Sequence, residues 1–341
     1  MQKIQKQCAS QSRIAIALGD PAGIGVEVTL KALGSKDLPK NMQPLLVGCK
    51  QNIELTYSQL KAQGIVSLEN LEKIEIIDIP LTEKLIYGEA NEKTGEASFH
   101  ALTHAAELVL KKEARALVTA PIAKYAWEEA GYRYPGQTER LAEIANVKSA
   151  SMLFTAVSPH NSLRINTLLA TTHIPLIDIA HVLTPELVTS KLDILLSFCK
   201  KFKRNPKLAV AGLNPHAGEK GKLGFEEINW LTPTLEKWRH KHPEISLEGP
   251  VSPDTCWLST AYSWINNQNF NCPDGILALY HDQGLIPIKV IAFDSAVNTT
   301  LGLPFIRTSP DHGTGFDIAG KGVARPESMI AAINTAWELS A

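Results

Sequence analysis

Residues 275–321 read GILALYHDQGLIPIKVIAFDSAVNTTLGLPFIRTSPDHGTGFDIAGK, and short apolar runs there deliver charged and histidine side chains into glycine-rich turns. Ile276–Leu279 lies between Pro273-Asp274-Gly275 and the polar His281-Asp282-Gln283-Gly284. Four apolar residues between such punctuation read as a buried strand, being too few for a globular helix. His281 and Asp282 then stand at the carboxyl end of that strand, the edge where open α/β sheets bind ligands. Leu285–Phe293 reads as a second strand-like run with Lys289 inside it, and Arg307 follows the turn Leu301-Gly302-Leu303-Pro304.

The same signature recurs along the chain. Strands are expected at Arg13–Leu18, Pro44–Val47, Ile74–Ile79, Ala116–Val118, Met152–Thr155, Leu163–Ala170 and Lys207–Leu213. Between them, helical patterns cover Val26–Leu33, Ile53–Gln63, Thr94–Lys112 and the stretch from Thr184-Pro185 to Cys199. This alternation predicts an α/β fold. Gly19-Asp20-Pro21-Ala22-Gly23-Ile24-Gly25 follows the first strand, but its glycines fall as G-x-x-x-G-x-G, not as the dinucleotide pattern G-x-G-x-x-G. It reads as a tight strand-to-helix turn facing a cleft, with Asp20 near the helix start. Thr94 is the expected cap of the long helix. His100 and His104 lie one turn apart on it, and without an H-E-x-x-H pattern they read as solvent or packing residues. Lys124 lies just past a strand, and Gln137 and Thr138 open a helix whose positive end suits an anion.

Composition sets the limits. The chain has 341 residues, 44% hydrophobic, enough for two domains or one large one with a real core. A net charge of -1 and a pI near 6.8 give no basic footprint for nucleic acid. No apolar run approaches the roughly 18 residues of a membrane span. Residues 1–12 read as a polar tail without the apolar segment of a signal peptide, so a cytoplasmic location is expected. Cys8, Cys49, Cys199, Cys256 and Cys272 are scattered without a C-x-x-C pair and read as reduced thiols. The basic run Lys200–Arg204 suits the negative end of a helix.

Three apolar strands are each followed within a few residues by a histidine: His173, His216 and His281. Imidazole is the commonest ligand of zinc and similar ions, and catalytic sites use three protein ligands with one open position. Side chains from three distant strand ends can meet only at a shared sheet edge or a subunit interface. Lys289 and Arg307 add cations for an acidic ligand, and Asn298-Thr299-Thr300 adds uncharged polar groups.

The ordered motifs GDPAGIGVE (from Gly19), VTAPIAK (Val118), GQTE (Gly136), LNPHAGE (Leu213), GPVSPDT (Gly249), YHDQGLIPIK (Tyr280), VNTTLGLPFIRTSPDHGT (Val297) and FDIAGKG (Phe316) resemble the 4-hydroxythreonine-4-phosphate dehydrogenase family over nearly the whole chain. The resemblance implies a two-lobed α/β/α fold similar to isocitrate and isopropylmalate dehydrogenases, with the active site in the cleft between lobes. The lobes are expected at 13–132 plus 306–341 and at 133–305. It implies that His173, His216 and His281 hold one divalent ion per subunit (zinc, magnesium or cobalt) across a homodimer interface. Gln137, Thr138, Lys289, Asn298 and Arg307 become substrate-binding positions. Asp311, His312, Gly313, Thr314 and Asp317 look like the cofactor loop of isopropylmalate and isocitrate dehydrogenases, which implies a loop for NAD, with NADP as the alternative.

The implied reaction oxidises 4-(phosphooxy)-L-threonine to a β-keto acid that decarboxylates to 3-amino-2-oxopropyl phosphate, in pyridoxine 5'-phosphate biosynthesis. Asp282 and Lys289 are the candidates for moving the hydroxyl proton. One departure stands out: Gln137 occupies a position where the family usually has histidine, which removes a group that titrates near neutrality. Alternatives are a dehydrogenase of another phosphorylated four-carbon acid, of the threonate or erythronate type, and a phosphate acyltransferase of related fold. No nucleic-acid or membrane partner is expected.

Overall fold

The computed structural model describes residues 12–65, 67–148, 150–266 and 271–341; the expected tail, apart from residue 12, and Cys8 lie outside them. The chain divides into two compact units, residues 1–150 with 297–341 and residues 151–296. The boundaries expected at 132/133 and 305/306 therefore fall at 150/151 and 296/297. The reason is local: the helix from Gln137 packs on the long helix of the first unit, and the strand from Val297 pairs with the one from Ile306.

In the first unit the strands β1 (Arg13–Ala17), β2 (Gln43–Gly48), β3 (Glu75–Asp78), β4 (Ala116–Thr119), β10 (Val297–Leu301) and β11 (Ile306–Pro310) lie in the order β3-β2-β1-β4-β11-β10. All pairs are parallel except the β10–β11 hairpin. Strand period two sends Ile14 and Ile16 to one face and Ala15 and Ala17 to the other. Helices α1 (Gly25–Leu33), α2 (Lys50–Ala62) and α11 (Glu327–Leu339) cover the first face; α3 (Glu92–Leu110), α4 (Lys124–Glu129) and α5 (Gln137–Ile144) cover the second. The cap of α3 is Asn91, not Thr94. The Asn91 side chain accepts from the Lys93 and Thr94 amides at 2.9 and 3.0 Å, and Thr94 Oγ1 accepts in return from the Asn91 amide at 3.0 Å.

The second unit carries β5 (Ser151–Val157), β6 (Arg164–Leu169), β7 (Lys207–Ala211), β8 (Ser246–Val251) and β9 (Gly275–Ala278) in the order β5-β6-β9-β7-β8. Only β5–β6 is antiparallel. One face packs on α9 (Leu258–Asn266) and α10 (His281–Ala292) through Trp257, Trp264, Leu285 and Ile288. The short α6 (Ile179–Val182) precedes α7 (Pro185–Cys199), which is capped by Thr184 accepting from the Leu187 amide at 3.2 Å, and α8 (Thr232–Lys241) follows.

A further expectation fails in the second unit. Leu285–Phe293 is not a strand but most of α10, with Pro287 inside it. Leu285, Ile288 and Ala292 face the core at helical spacing, while Ile286, Val290 and Phe293 are exposed. Apolar residues on both sides erase the amphipathic period that marks a helix.

The candidate site residues and the family

Arg307 on β11 lies directly opposite Thr300 in the hairpin register, so their side chains share a face. Its Nη1 donates to Thr300 Oγ1 at 3.0 Å, Nε and Nη2 donate to Thr119 Oγ1 at 3.1 and 2.7 Å, and Nη2 also donates to Gln137 Oε1 at 3.2 Å. Four of the five N–H donors are thus engaged, all by neutral oxygens. Burial lowers the guanidinium pKa to about 10, which leaves it charged at neutral pH. A buried cation with only neutral acceptors is costly unless an anion joins it.

Gln137 completes this corner and is held at both ends of its amide. Its Nε2 donates to the Ala120 carbonyl at 2.9 Å while its Oε1 receives Arg307. Reversing the amide would set two donors and two acceptors against each other, so chemistry fixes the orientation. Thr138 is half-buried in the first turn of α5. Asn298 Oδ1 and Thr299 Oγ1 are buried with no hydrogen-bond partner among the described residues. Lys124 is exposed at the start of α4.

The Gly19–Gly25 turn holds the loop at 311–324 in place. The Ile24 amide donates to the Thr314 carbonyl at 2.9 Å, and a Cβ at Gly23 would stand 2.8 Å from that oxygen. Glu27 accepts from the amides of Gly322 and Ala324 at 3.2 and 2.7 Å, while Lys31 Nζ donates to Glu27 and to the carbonyls of Gly322 and Ala324, each at 2.8 Å. Asp20 is buried within the turn, accepting from the Ala22 amide at 2.9 Å and from Thr94 Oγ1 at 3.2 Å. Burial raises its pKa to about 6 against those two bonds.

In the held loop His312 Nδ1 donates to the Gly313 carbonyl at 2.9 Å, which makes Nε2 the acceptor of a neutral ring. Burial pushes its pKa down. Nε2 is buried without a partner among the described residues, Asp317 is exposed, and nothing occupies the space beside Gly313. An orphaned acceptor, an exposed carboxylate and an open backbone flank suit a nucleotide with ribose hydroxyls. Asp311 is fastened through its amide to Ser328 Oγ at 3.2 Å.

In the second unit β6, β9 and β7 are parallel neighbours, so the turns bearing His173, His281 and His216 leave one sheet edge. Two residues overlooked in the sequence staple those strand ends. Thr171 Oγ1 donates to the Leu279 carbonyl at 2.8 Å; Gln283 accepts from the Leu279 amide at 2.7 Å and donates to the Gly212 carbonyl at 2.6 Å. The His173 and His281 ring centroids are 5.3 Å apart. Two imidazoles on one tetrahedral ion, at the usual metal–nitrogen bond lengths, place their centroids roughly 5 Å apart. His281 Nδ1 donates to Asp282 Oδ1 at 2.7 Å, which leaves Nε2 as the ligating atom. The pair fits a metal. His216 does not complete a three-ligand group in the single chain: among the described residues no cluster of three or more His, Cys, Asp or Glu is placed to hold an ion. Lys289 lies half-buried on α10, eight residues along from His281.

His216 itself sits in an unusual turn. Five consecutive residues, His216 to Lys220, have φ between 40° and 76°. Four of them are not glycine, at roughly 1–2 kcal/mol each for the left-handed conformation. No propensity in the sequence announces this. His100 donates to or accepts from Tyr132 OH at 3.2 Å and meets Phe99 edge-on, a packing role.

The Pyridoxal phosphate biosynthetic protein PdxA family model matches residues 31–336. The chain is 57% identical over 330 residues to the 4-hydroxythreonine-4-phosphate dehydrogenase of Synechococcus sp. (strain RCC307), covering 96% of this chain and 99% of that protein. It is 39% identical to the D-threonate 4-phosphate dehydrogenase of Salmonella typhimurium, over 96% and 98% of the two chains. The crystal structure of the Klebsiella pneumoniae 4-hydroxythreonine-4-phosphate dehydrogenase superposes with a TM-score of 0.79 at 34% identity, covering 96% and 98%. This α/β protein is an enzyme, a dehydrogenase. The chain belongs to the PdxA family, as the resemblance implied. A phosphotransacylase from Enterococcus faecalis, 12% identical with a TM-score of 0.57, shares the fold alone.

Proposed function

We propose that the enzyme oxidises 4-(phosphooxy)-L-threonine with NAD, in a divalent-metal-dependent reaction whose β-keto acid product loses carbon dioxide to give 3-amino-2-oxopropyl phosphate. The observation that carries the reading is Arg307, a buried guanidinium among neutral acceptors at the start of α5, which calls for an anionic substrate group. Thr138 adds a hydroxyl, and Asn298 Oδ1 offers a free acceptor to a substrate ammonium or hydroxyl. Gln137 acts by orienting Arg307.

His173, His216 and His281 hold the ion, with imidazoles drawn from both subunits of a homodimer. When bound, the metal supplies Lewis acidity at the reacting hydroxyl and NAD accepts the hydride. Asp282 fixes the tautomer of His281, Lys289 takes the hydroxyl proton on its amine form and so becomes the cation beside the acidic substrate, and residues 311–317 would take the nucleotide. Support for the second copy comes from α9 and α10, which pack on one sheet face and expose Leu258, Tyr262 and Ile265, and Ile286, Val290 and Phe293, each at i, i+4, i+7. No helix of the described residues is long and apolar enough to cross a membrane; a cytoplasmic site of action accords with the biosynthetic role.

The relative that acts on D-threonate 4-phosphate favours a second reading, in which a hydroxyl replaces the substrate ammonium at Asn298. Steady-state rates of NAD reduction on 4-(phosphooxy)-L-threonine and D-threonate 4-phosphate decide between them. Higher kcat/KM on the amino substrate supports the first; a large preference for the sugar acid selects the second.

A further inference from the structure

We propose that Glu227 is a positioning residue that sets His216 for its ligand by holding the backbone from which the left-handed turn departs. Glu227 is 3% exposed. Its Oε1 accepts from the amides of Leu213 and Asn214, both at 2.8 Å, and its Oε2 accepts from Asn214 Nδ2 at 2.9 Å. All three donors are uncharged, so the carboxylate is kept in the interior by directed hydrogen bonds to one short segment. The second proton of Asn214 Nδ2 goes to Glu226 Oε2 at 2.7 Å.

The turn is cast around these groups. A Cβ at Gly218 would stand 2.8 Å from Glu227 Oε2, and one at Gly224 2.4 Å from Asn214 Nδ2. A run of left-handed residues does not sustain itself, because each step favours the right-handed alternative. What fixes its direction is the anchored start at Leu213-Asn214 and the packed glycines, and both depend on Glu227. Outer partners usually grip a metal-binding imidazole directly; here the grip is on the main chain three and two residues before it.

The inference rests on His216 being a metal ligand, and its test separates the two. Full-length Glu227→Gln and Glu227→Ala are titrated with cobalt(II) and zinc(II) against a competing chelator. In parallel, the metal-free proteins are exposed to trypsin and cleavage after Lys220 and Lys222 is timed. The expected result is weaker binding in the order Gln then Ala, by about 10–100-fold for Ala, a changed cobalt visible spectrum, and faster cleavage at the two lysines. The thermal midpoint of the metal-free Gln variant stays near that of the unaltered enzyme, and if the Ala variant does not fold, the Gln variant alone must show weakened binding and quicker cleavage. Unaltered affinity and unaltered cleavage in the Gln and Ala variants overturn the proposal. If the unaltered enzyme binds neither ion, the three-histidine reading fails, and the trypsin comparison still decides whether Glu227 holds the turn.

Discussion

Asp20 offers a quantitative test of the turn that holds the 311–324 loop. Its carboxyl is buried and its pKa rises from 3.8 to about 6. The fold therefore prefers the protonated form. Stability associated with that proton is fully present below pH 3.8 and is lost as pH rises towards 6. That rise from 3.8 to about 6, at about 1.36 kcal/mol per tenfold change in proton affinity, makes the ionised carboxylate cost about 3 kcal/mol at neutral pH. Asp20→Asn removes the charge and keeps the bonds. The amide oxygen accepts from the Ala22 amide, and the amide nitrogen donates to Thr94 Oγ1, whose own proton turns to the Asn91 carbonyl, 3.1 Å away. The variant should be more stable than the parent by about 3 kcal/mol at pH 7 and by only about 1 kcal/mol at pH 4.5. Urea unfolding of both proteins, followed by circular dichroism across that range, measures the difference. A gain that is the same at both pH values, or a loss at pH 7, refutes burial as the origin of the shift.

Other outcomes follow from the same contacts. Arg307→Lys loses the two-pronged hold on Thr119 and should raise KM for the phosphorylated substrate about tenfold or more in steady-state assays, with the far-ultraviolet spectrum unchanged. Gln137→Glu places a carboxylate against Arg307, which then competes with the anion; substrate affinity by calorimetry should fall, and an unchanged value would mean that the guanidinium does not bind it. Asp282→Asn weakens the orientation of His281 and should cost about 10–100-fold in zinc affinity. Gly23→Ala drives a methyl group towards the Thr314 carbonyl, so KM for NAD should rise while kcat at saturating cofactor changes little.

Most strands were legible because a buried parallel strand is a short apolar run between glycine, proline and polar turns, as at Ala116–Thr119 and Lys207–Ala211. Carboxyl-end residues follow from that reading, so His281, His216 and His173 can each be assigned to a strand end, whereas their common edge depends on the strand order β6-β9-β7. The α10 helix was not legible, since its outward Ile286, Val290 and Phe293 imitate a buried run. Nor was the cap at Asn91, where the neighbouring Thr94 carried the stronger local signal although it answers the cap instead of providing it. Glu227 and Gln283 reach main-chain atoms 13 and 71 residues away, and no local pattern marks such partners. The paired acids Glu226-Glu227 after Gly224 were the only trace, and they look like a solvated loop.

The Glu27–Lys31 clamp grips residues 322 and 324 by peptide groups alone, and Ile24 does the same at Thr314. At these three points the path of the loop is set by main-chain groups, while Ala319 and Ala324 anchor it in the core. An outward position such as Asp317 touches none of these anchors, so on the proposed function it can be exchanged, and the choice of coenzyme retuned, without disturbing the frame.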